Sequence, residues 1–283
     1  MSDPQDWIGR AERVRDALGA PLAHRWLATL DLRAREAGAM PQGIHWCLGV
    51  PEVPGARIGP DGHPLRDGAA DAFLPPIAAP RRMWAGSSLN FLRPLTIGAA
   101  VERTSRIERI EEKSGASGSL TFLTLRHETS ADGELAVIEE QTLVYREAPP
   151  AGAPPAPPPP GDGTFDDSAW DLFQRVTPGL PLLFRYSALT FNTHRIHYDA
   201  DYVREVENYR GPVVHGPLMA TLLLQLAARS LGDNRLKRFG FRGVSPAVAD
   251  EQLVFALRGP ADSIELGVFA ADGRQVMRAE AGC

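Results

Sequence analysis

The stretch FNTHRIHY, residues 191–198, gathers Asn192, His194, Arg195 and His197 at the end of an apolar run. Imidazole titrates close to neutrality, so His197 is the natural residue to take and return a proton near pH 7. Asn192 can orient a water or a histidine, but an amide does not accept a proton at neutral pH. Further along, GPVVHGPL (residues 211–218) brings His215 and Gly216 to the start of a long apolar segment. A helix beginning there offers unblocked N–H groups and the positive end of its dipole to a developing negative charge. A glycine at that place also lets a ligand come close to the backbone.

The element that must carry Gly216 is unusual. From Val213 to Ala228 only His215, Thr221 and Gln225 interrupt apolar and small residues, so no face of the helix is suited to water. Gly216 and Pro217 fit the cap and first turn, and Arg229 and Gly232 fit the last turn and the residue beyond it. Roughly 15 residues at about 1.5 Å each make a rod of about 22 Å, which a curved sheet would bury.

The remaining chain supplies the sheet. Residues 4–38 have helical periodicity broken at Pro21, which predicts a two-helix lead-in. Residues 41–80 are rich in Gly and Pro, and a loop of that length inside a domain is often functional. Strands are predicted at 87–95, 101–110, 119–130 and 135–147, with Asp132-Gly133 as the turn of the last hairpin. After a proline-rich spacer come a strand at 182–191, the motif and helix, and strands near 235–243, 251–259, 263–270 and 274–281. Both halves end in strand, Ala-Asp-Gly, strand, which points to an internal duplication. The division expected is 1–148, a spacer at 149–164, and 165–283.

Composition narrows the function. A net charge of -5 argues against a nucleic-acid partner. The chain has no apolar run of membrane-spanning length and its start lacks the apolar core of a signal peptide, so a cytoplasmic protein without membrane association is expected. Cys47 and Cys283 supply neither a zinc cluster nor a disulfide framework, and no metal or cofactor is expected.

The motif resembles that of the MaoC-like enoyl-CoA hydratases, whose usual pattern is Asp-x-Asn-Pro-x-His followed by a His-Gly at a helix start. Here the positions are Asn192 to His197 and His215-Gly216. The chain is more closely similar to the branch containing mesaconyl-CoA and itaconyl-CoA hydratases and the type 2 3-hydroxyacyl-thioester dehydratases, in FNTHRIHY, GPVVHGPL, PRRMWAG (80–86) and GPDGHP (59–64). The resemblance implies an α+β double hot-dog: two antiparallel sheets, with the long buried helix kept in the C-terminal half and degenerate in the N-terminal half.

It also implies a hydro-lyase that adds water to an enoyl thioester of CoA or acyl carrier protein, with a short branched dicarboxylic acyl group. On that reading His197 transfers the proton, Gly216 N–H receives the enolate oxygen and Asn192 orients. The family aspartate is replaced by Asn192, so His194 or Asp199 is the nearest group to share the transfer. His194, Arg195, His215, Tyr198, Arg82 and Trp84 are expected at the substrate, although His215 also reads as a helix-entry group and Tyr198 as a packing residue. Arg81, Arg185 and Arg242 join Arg82 and Arg195 as partners for anionic groups. His24, His45, His63 and His127 read as structural or surface. Two fused halves act as a pseudo-dimer or pair again as a homodimer. A thioesterase and a non-catalytic acyl-binding module are the competing readings, because fold does not fix reaction.

Overall fold

The computed structural model describes residues 3–34, 37–69, 72–115, 118–148 and 163–283. In the first half the strands are β1 (Ala11–Ala17), β2 (Arg81–Phe91), β3 (Ala100–Gly115), β4 (Gly118–Ala131) and β5 (Glu134–Arg146). The second half has β6 (Leu172–Val176), β7 (Arg238–Gly243), β8 (Leu253–Arg258), β9 (Ile264–Ala270) and β10 (Gln275–Gly282). Their order is β1-β3-β4-β5-β2-β7-β10-β9-β8-β6, and every pairing is antiparallel. Read outward from the middle, the two halves repeat one another. The two sheets expected are therefore continuous, joined where β2 pairs with β7 from Gly86 opposite Arg242 to Asn90 opposite Arg238.

The hairpin turn between β4 and β5 has positive φ at both Asp132 (51°) and Gly133 (84°), the conformation that matches strand twist in a two-residue turn. Gly273, with φ of 79°, occupies the matching place between β9 and β10.

The described residues form four α-helices, α1 (Ala20–Thr29), α2 (Leu180–Leu189), α3 (Ala200–Glu205) and α4 (Gly216–Leu231), of which α4 lies along the sheet. The long apolar segment forms α4 as expected, with His215 as N-cap, Pro217 in the first turn and Gly232 ending it at φ 95°. It packs on β6, β8 and β9 and reaches β2, burying Leu218, Leu223, Leu224 and Leu226 almost completely. Each such leucine contributes about 1.5–3 kcal/mol, and Leu223→Ala would cost about 2–5 kcal/mol.

Among the described residues of the first half there is no long helix. Residues 40–48 fill it instead, burying Met40, Ile44, Trp46, Cys47 and Leu48 around a short 3-10 turn at Ile44–Cys47. The two segments are tied, with Gln225 Nε2 donating to Gln42 O (3.1 Å) and Gln42 Nε2 to Leu236 O (2.7 Å). No described helix is long and apolar enough to cross a membrane.

Two element expectations are corrected. Residues 11–17 are an edge strand and not helix, because pairing with β3 satisfies the backbone while Arg13, Arg15 and Asp16 stay exposed and Glu12 lines a cavity. Residues 180–189 are helix and not strand: Pro181 opens the first turn, and Leu183, Tyr186 and Ser187 fall at i, i+3 and i+4 on the buried face. That correction exposes a better sign of duplication. GAPLAHRWLATLD (19–31) and GLPLLFRYSALTF (179–191) share Gly, Pro, Leu, Arg and Ala at the same offsets. Both end on a left-handed residue, Asp31 (φ 53°) and Phe191 (φ 48°), and α1 packs on α2. The proposed spacer at 149–164 lies almost wholly outside the described residues.

Candidate active site

Phe191 turns the chain out of α2, and the next residues are held by their own side chains. Asn192 Oδ1 accepts from His194 N at 3.0 Å, and Asp199 caps α3 by accepting from Tyr202 N at 3.0 Å. A 3-10 turn at Arg195–His197 then places His197 beside the entry to α4. His197 Nδ1 donates to Val213 O at 2.7 Å, so the proton sits on Nδ1 and the lone pair on Nε2.

Four imidazoles gather here. His197 stacks on His215 with centroids 3.5 Å apart, His194 meets His197 edge-on at 5.6 Å, and His63 lies over His194 at 3.9 Å. His215 Nε2 is 2.8 Å from Ser187 Oγ. Burial pushes the His197 ring down to about 4, the Val213 carbonyl working against it. His63 is pushed down to about 3 by burial and by the Arg82 cation, which outweigh Asp61. Burial also lowers His194 and His215, so the cluster is neutral at physiological pH and presents bases.

The start of α4, which follows directly from His215, lines the same cavity. No side chain caps its first turn. A Cβ added to Gly216 would meet only Trp84 O, at 3.9 Å. Protein packing therefore does not demand glycine there, and the space it clears belongs to the cavity.

That cavity, of about 1110 Å³, is lined by Asn192, His194, His197, His215, Gly216, Arg82 and Trp84 among the residues expected from sequence. Arg195 and Tyr198 are not among the lining residues. Arg195 pairs with Asp199 (2.7 Å) and covers the Tyr202 ring, while the exposed Tyr198 donates to Thr193 O at 3.0 Å; both brace the motif from outside. Of the other arginines, Arg81 is paired with the buried Glu207 at 3.0 Å, and Arg185 and Arg242 are exposed away from the cavity. Arg82 lines the cavity with no hydrogen bond or ion pair to a described residue.

Several cavity residues were not singled out from the sequence. In the first half, Glu139 accepts from Ser87 Oγ and from Trp46 Nε1 (3.1 Å), and burial raises its carboxyl against those two bonds. His127 bonds Ser105 Oγ at 2.9 Å and Gln141 Oε1 at 3.2 Å, and Arg103 Nε has no partner. Their signal in sequence is faint: polar residues alternating inward on β3, β4 and β5. His63, read as structural, belongs to the cluster. Asp61, His63 and His194 place their ligand atoms within 4.8 Å of one another, the donor set of a metal site, although Asp61 and His63 already share a 3.0 Å hydrogen bond.

A neutral base and an uncapped helix start that line one cavity can together move a proton to and from carbon while the helix holds an enolate oxygen. Comparison with known proteins agrees. The family model for hydroxyacyl-thioester dehydratase type 2 matches residues 43–249. The chain belongs to this family. A mesaconyl-C(4)-CoA hydratase of Chloroflexus aurantiacus is 39% identical over 98% of this chain and 97% of its own length. Among solved structures, a MaoC-like dehydratase superposes with a TM-score of 0.73 at 12% identity, covering 99% of this chain and 98% of its own. A Mycobacterium tuberculosis protein described as having a double hot-dog fold gives 0.60 at 14% identity, covering 97% and 95%. This type 2 dehydratase relative is thus an α+β double hot-dog and a hydro-lyase of the hydratase and dehydratase type.

Proposed function

We propose that the enzyme hydrates, and in reverse dehydrates, a short branched dicarboxylic acyl-CoA of the mesaconyl or itaconyl kind. The observation that carries this reading is Arg82, a cation without a described partner beside neutral imidazoles in the cavity. A carboxylate on the acyl group would find its counter-charge there. Supporting it, the cavity lining includes Glu139, His127 and Arg103, polar groups that suit a charged acyl end better than a long aliphatic tail. The relative that hydrates mesaconyl-C(4)-CoA, by its name, shares 39% of residues over nearly the whole chain.

In this account His197 Nε2 removes a proton from water, the oxygen bonds to the β carbon, and the thioester oxygen becomes an enolate held by the Gly216 N–H. The His197 imidazolium then returns the proton to the α carbon. Asn192 keeps its oxygen on His194 N and offers its NH₂ to water or substrate. His215, stacked behind His197, and Trp84, beside Gly216, shape the pocket. The halves on either side of 149–164 work as one unit, in the cytoplasm, alone or as a homodimer.

The test is to incubate the protein with mono- and dicarboxylic enoyl-CoAs while following both the conjugated-thioester absorbance and free thiol. Loss of absorbance without thiol, fastest for the dicarboxylic substrates, is expected. Thiol release would mean a thioesterase, and neither change an acyl-binding module.

A further inference from the structure

The loop GPDGHP (59–64) belongs to the first half but is fastened to the motif of the second. Arg195 N donates to Asp61 O at 2.9 Å, Arg195 Nη1 to Pro60 O at 3.0 Å, and the Thr193 hydroxyl to Gly62 O. Gly62 has φ of +87°, and a Cβ there would lie 1.8 Å from Thr193 O, so only glycine permits this approach.

What the fastening holds is an aspartate–histidine pair. Asp61 Oδ2 accepts from His63 Nδ1 at 3.0 Å, and Asp61 Oδ1 accepts from the His63 backbone N–H at 2.9 Å. Burial works to raise the Asp61 carboxyl, but the two hydrogen bonds from His63 and the nearby Arg66 cation act against it, and the carboxyl lies below its ordinary value. The ring and its tautomer are thereby set, with the proton on Nδ1 and the lone pair on Nε2. His63 is buried, lines the cavity and lies over His194, which in turn meets His197. The motif itself offers His197 no carboxylate, since Asn192 is an amide whose oxygen is already bonded to His194 N.

We propose that Asp61 and His63 hold the attacking water, His63 Nε2 accepting one of its hydrogens while His197 Nε2 removes the other. This rests on the hydratase reading above. The proton taken by His197 leaves the water oxygen as its electron pair forms the bond to the β carbon. The π pair moves onto the thioester as the enolate, and the α carbon then receives that proton from His197. The hydrogen held by His63 stays on the product hydroxyl, so His63 does not change protonation. Asp61 is the positioning residue that keeps the Nε2 lone pair available, and an aspartate–histidine pair contributed by one half completes a site whose base comes from the other.

The test compares the full-length wild type with His63→Ala, Asp61→Asn and Thr193→Val on the best enoyl-CoA substrate, and on crotonyl-CoA, which has no carboxylate for Arg82. His63→Ala should lower kcat roughly 100-fold, and Asp61→Asn roughly tenfold or more, with KM within about threefold of wild type and the thermal midpoint nearly kept. Added imidazole should restore part of the His63→Ala activity. Thr193→Val, which loosens the loop but spares the pair, should lose less than about fivefold. A His63→Ala enzyme within threefold of wild type overturns the proposal, as does Thr193→Val losing as much as His63→Ala, which would make the loop a fastening only. Chelator-sensitive wild-type activity overturns it in favour of a metal on Asp61, His63 and His194. A wild type inactive on every enoyl thioester overturns the hydratase reading as well, whereas an active wild type with an equally active His63→Ala overturns the pair alone.

Discussion

His197 donates its Nδ1 proton to the carbonyl of Val213, 2.7 Å away, and Val213 N in turn donates to Ile196 O at 2.8 Å. The base is thus fixed by the strip of backbone that leads into α4, and its free nitrogen cannot rotate away. His197→Ala should lower kcat by roughly 100-fold to 10,000-fold, the range for a lost acid–base group. It should also cost about 1–3 kcal/mol in chemical denaturation, because Val213 O loses its partner. Near-normal turnover in a folded variant would contradict the assignment.

The pH dependence follows from burial. His197 is pushed down to about 4, so turnover should be flat through neutrality and fall with a midpoint near 4 rather than near the ordinary imidazole value. His45, His63, His127, His194 and His215 are lowered as well, in each case chiefly by burial. A depressed folded-state value means that the unfolded chain binds more protons between the two values. This stability is complete above about pH 6.5 and is lost as pH falls toward 3, on the order of several kcal/mol in total. Urea midpoints at pH 7.5, 6, 5 and 4 should fall steadily, and a flat series would contradict it.

Gly216 separates packing from chemistry. Since a Cβ there meets only Trp84 O at 3.9 Å, and alanine suits a helix better than glycine by about 1 kcal/mol, Gly216→Ala should fold at least as well as wild type. The methyl would stand where the thioester must approach, so kcat/KM should fall about tenfold or more. Unchanged kinetics would place the oxyanion elsewhere.

Arg82 should act on one substrate class only. Arg82→Ala is expected to reduce kcat/KM about 10- to 100-fold for a dicarboxylic enoyl-CoA, as for a lost charged hydrogen bond, and to leave crotonyl-CoA within about threefold. An equal loss on both would point to a CoA phosphate or a general role.

Much of this was legible because it rests on local pattern. The α4 rod shows as apolar residues on every face, the hairpins as Asp-Gly turns, and His197 with Gly216 as a motif. Other parts were hidden where tertiary contacts outweigh local preference. The segment LLFRYSALTF is dense in strand-forming residues, yet Gly179 and Pro181 open a helix, and α1 together with Thr221 and His215 covers one face of it. Residues 11–17 are charged and helix-favouring, yet their pairing with β3 makes them strand. His63 stands 131 positions from His194 in the chain, and no periodicity connects them. Only the fold brings the loop at 59–64 against the motif. The wall of Glu139, His127 and Arg103 was invisible for the same reason, since each reads alone as an ordinary polar residue of a half-exposed strand.

On the proposed mechanism His197 and Gly216 act on the same reacting group. A crystal structure with a saturated, unreactive acyl-CoA tests it directly. The thioester oxygen should lie about 2.7–3.1 Å from Gly216 N, with the acyl β carbon against His197 Nε2 and room for one water. A thioester bound elsewhere in the cavity, with His197 and Gly216 contacting different parts of the ligand or none, would contradict it.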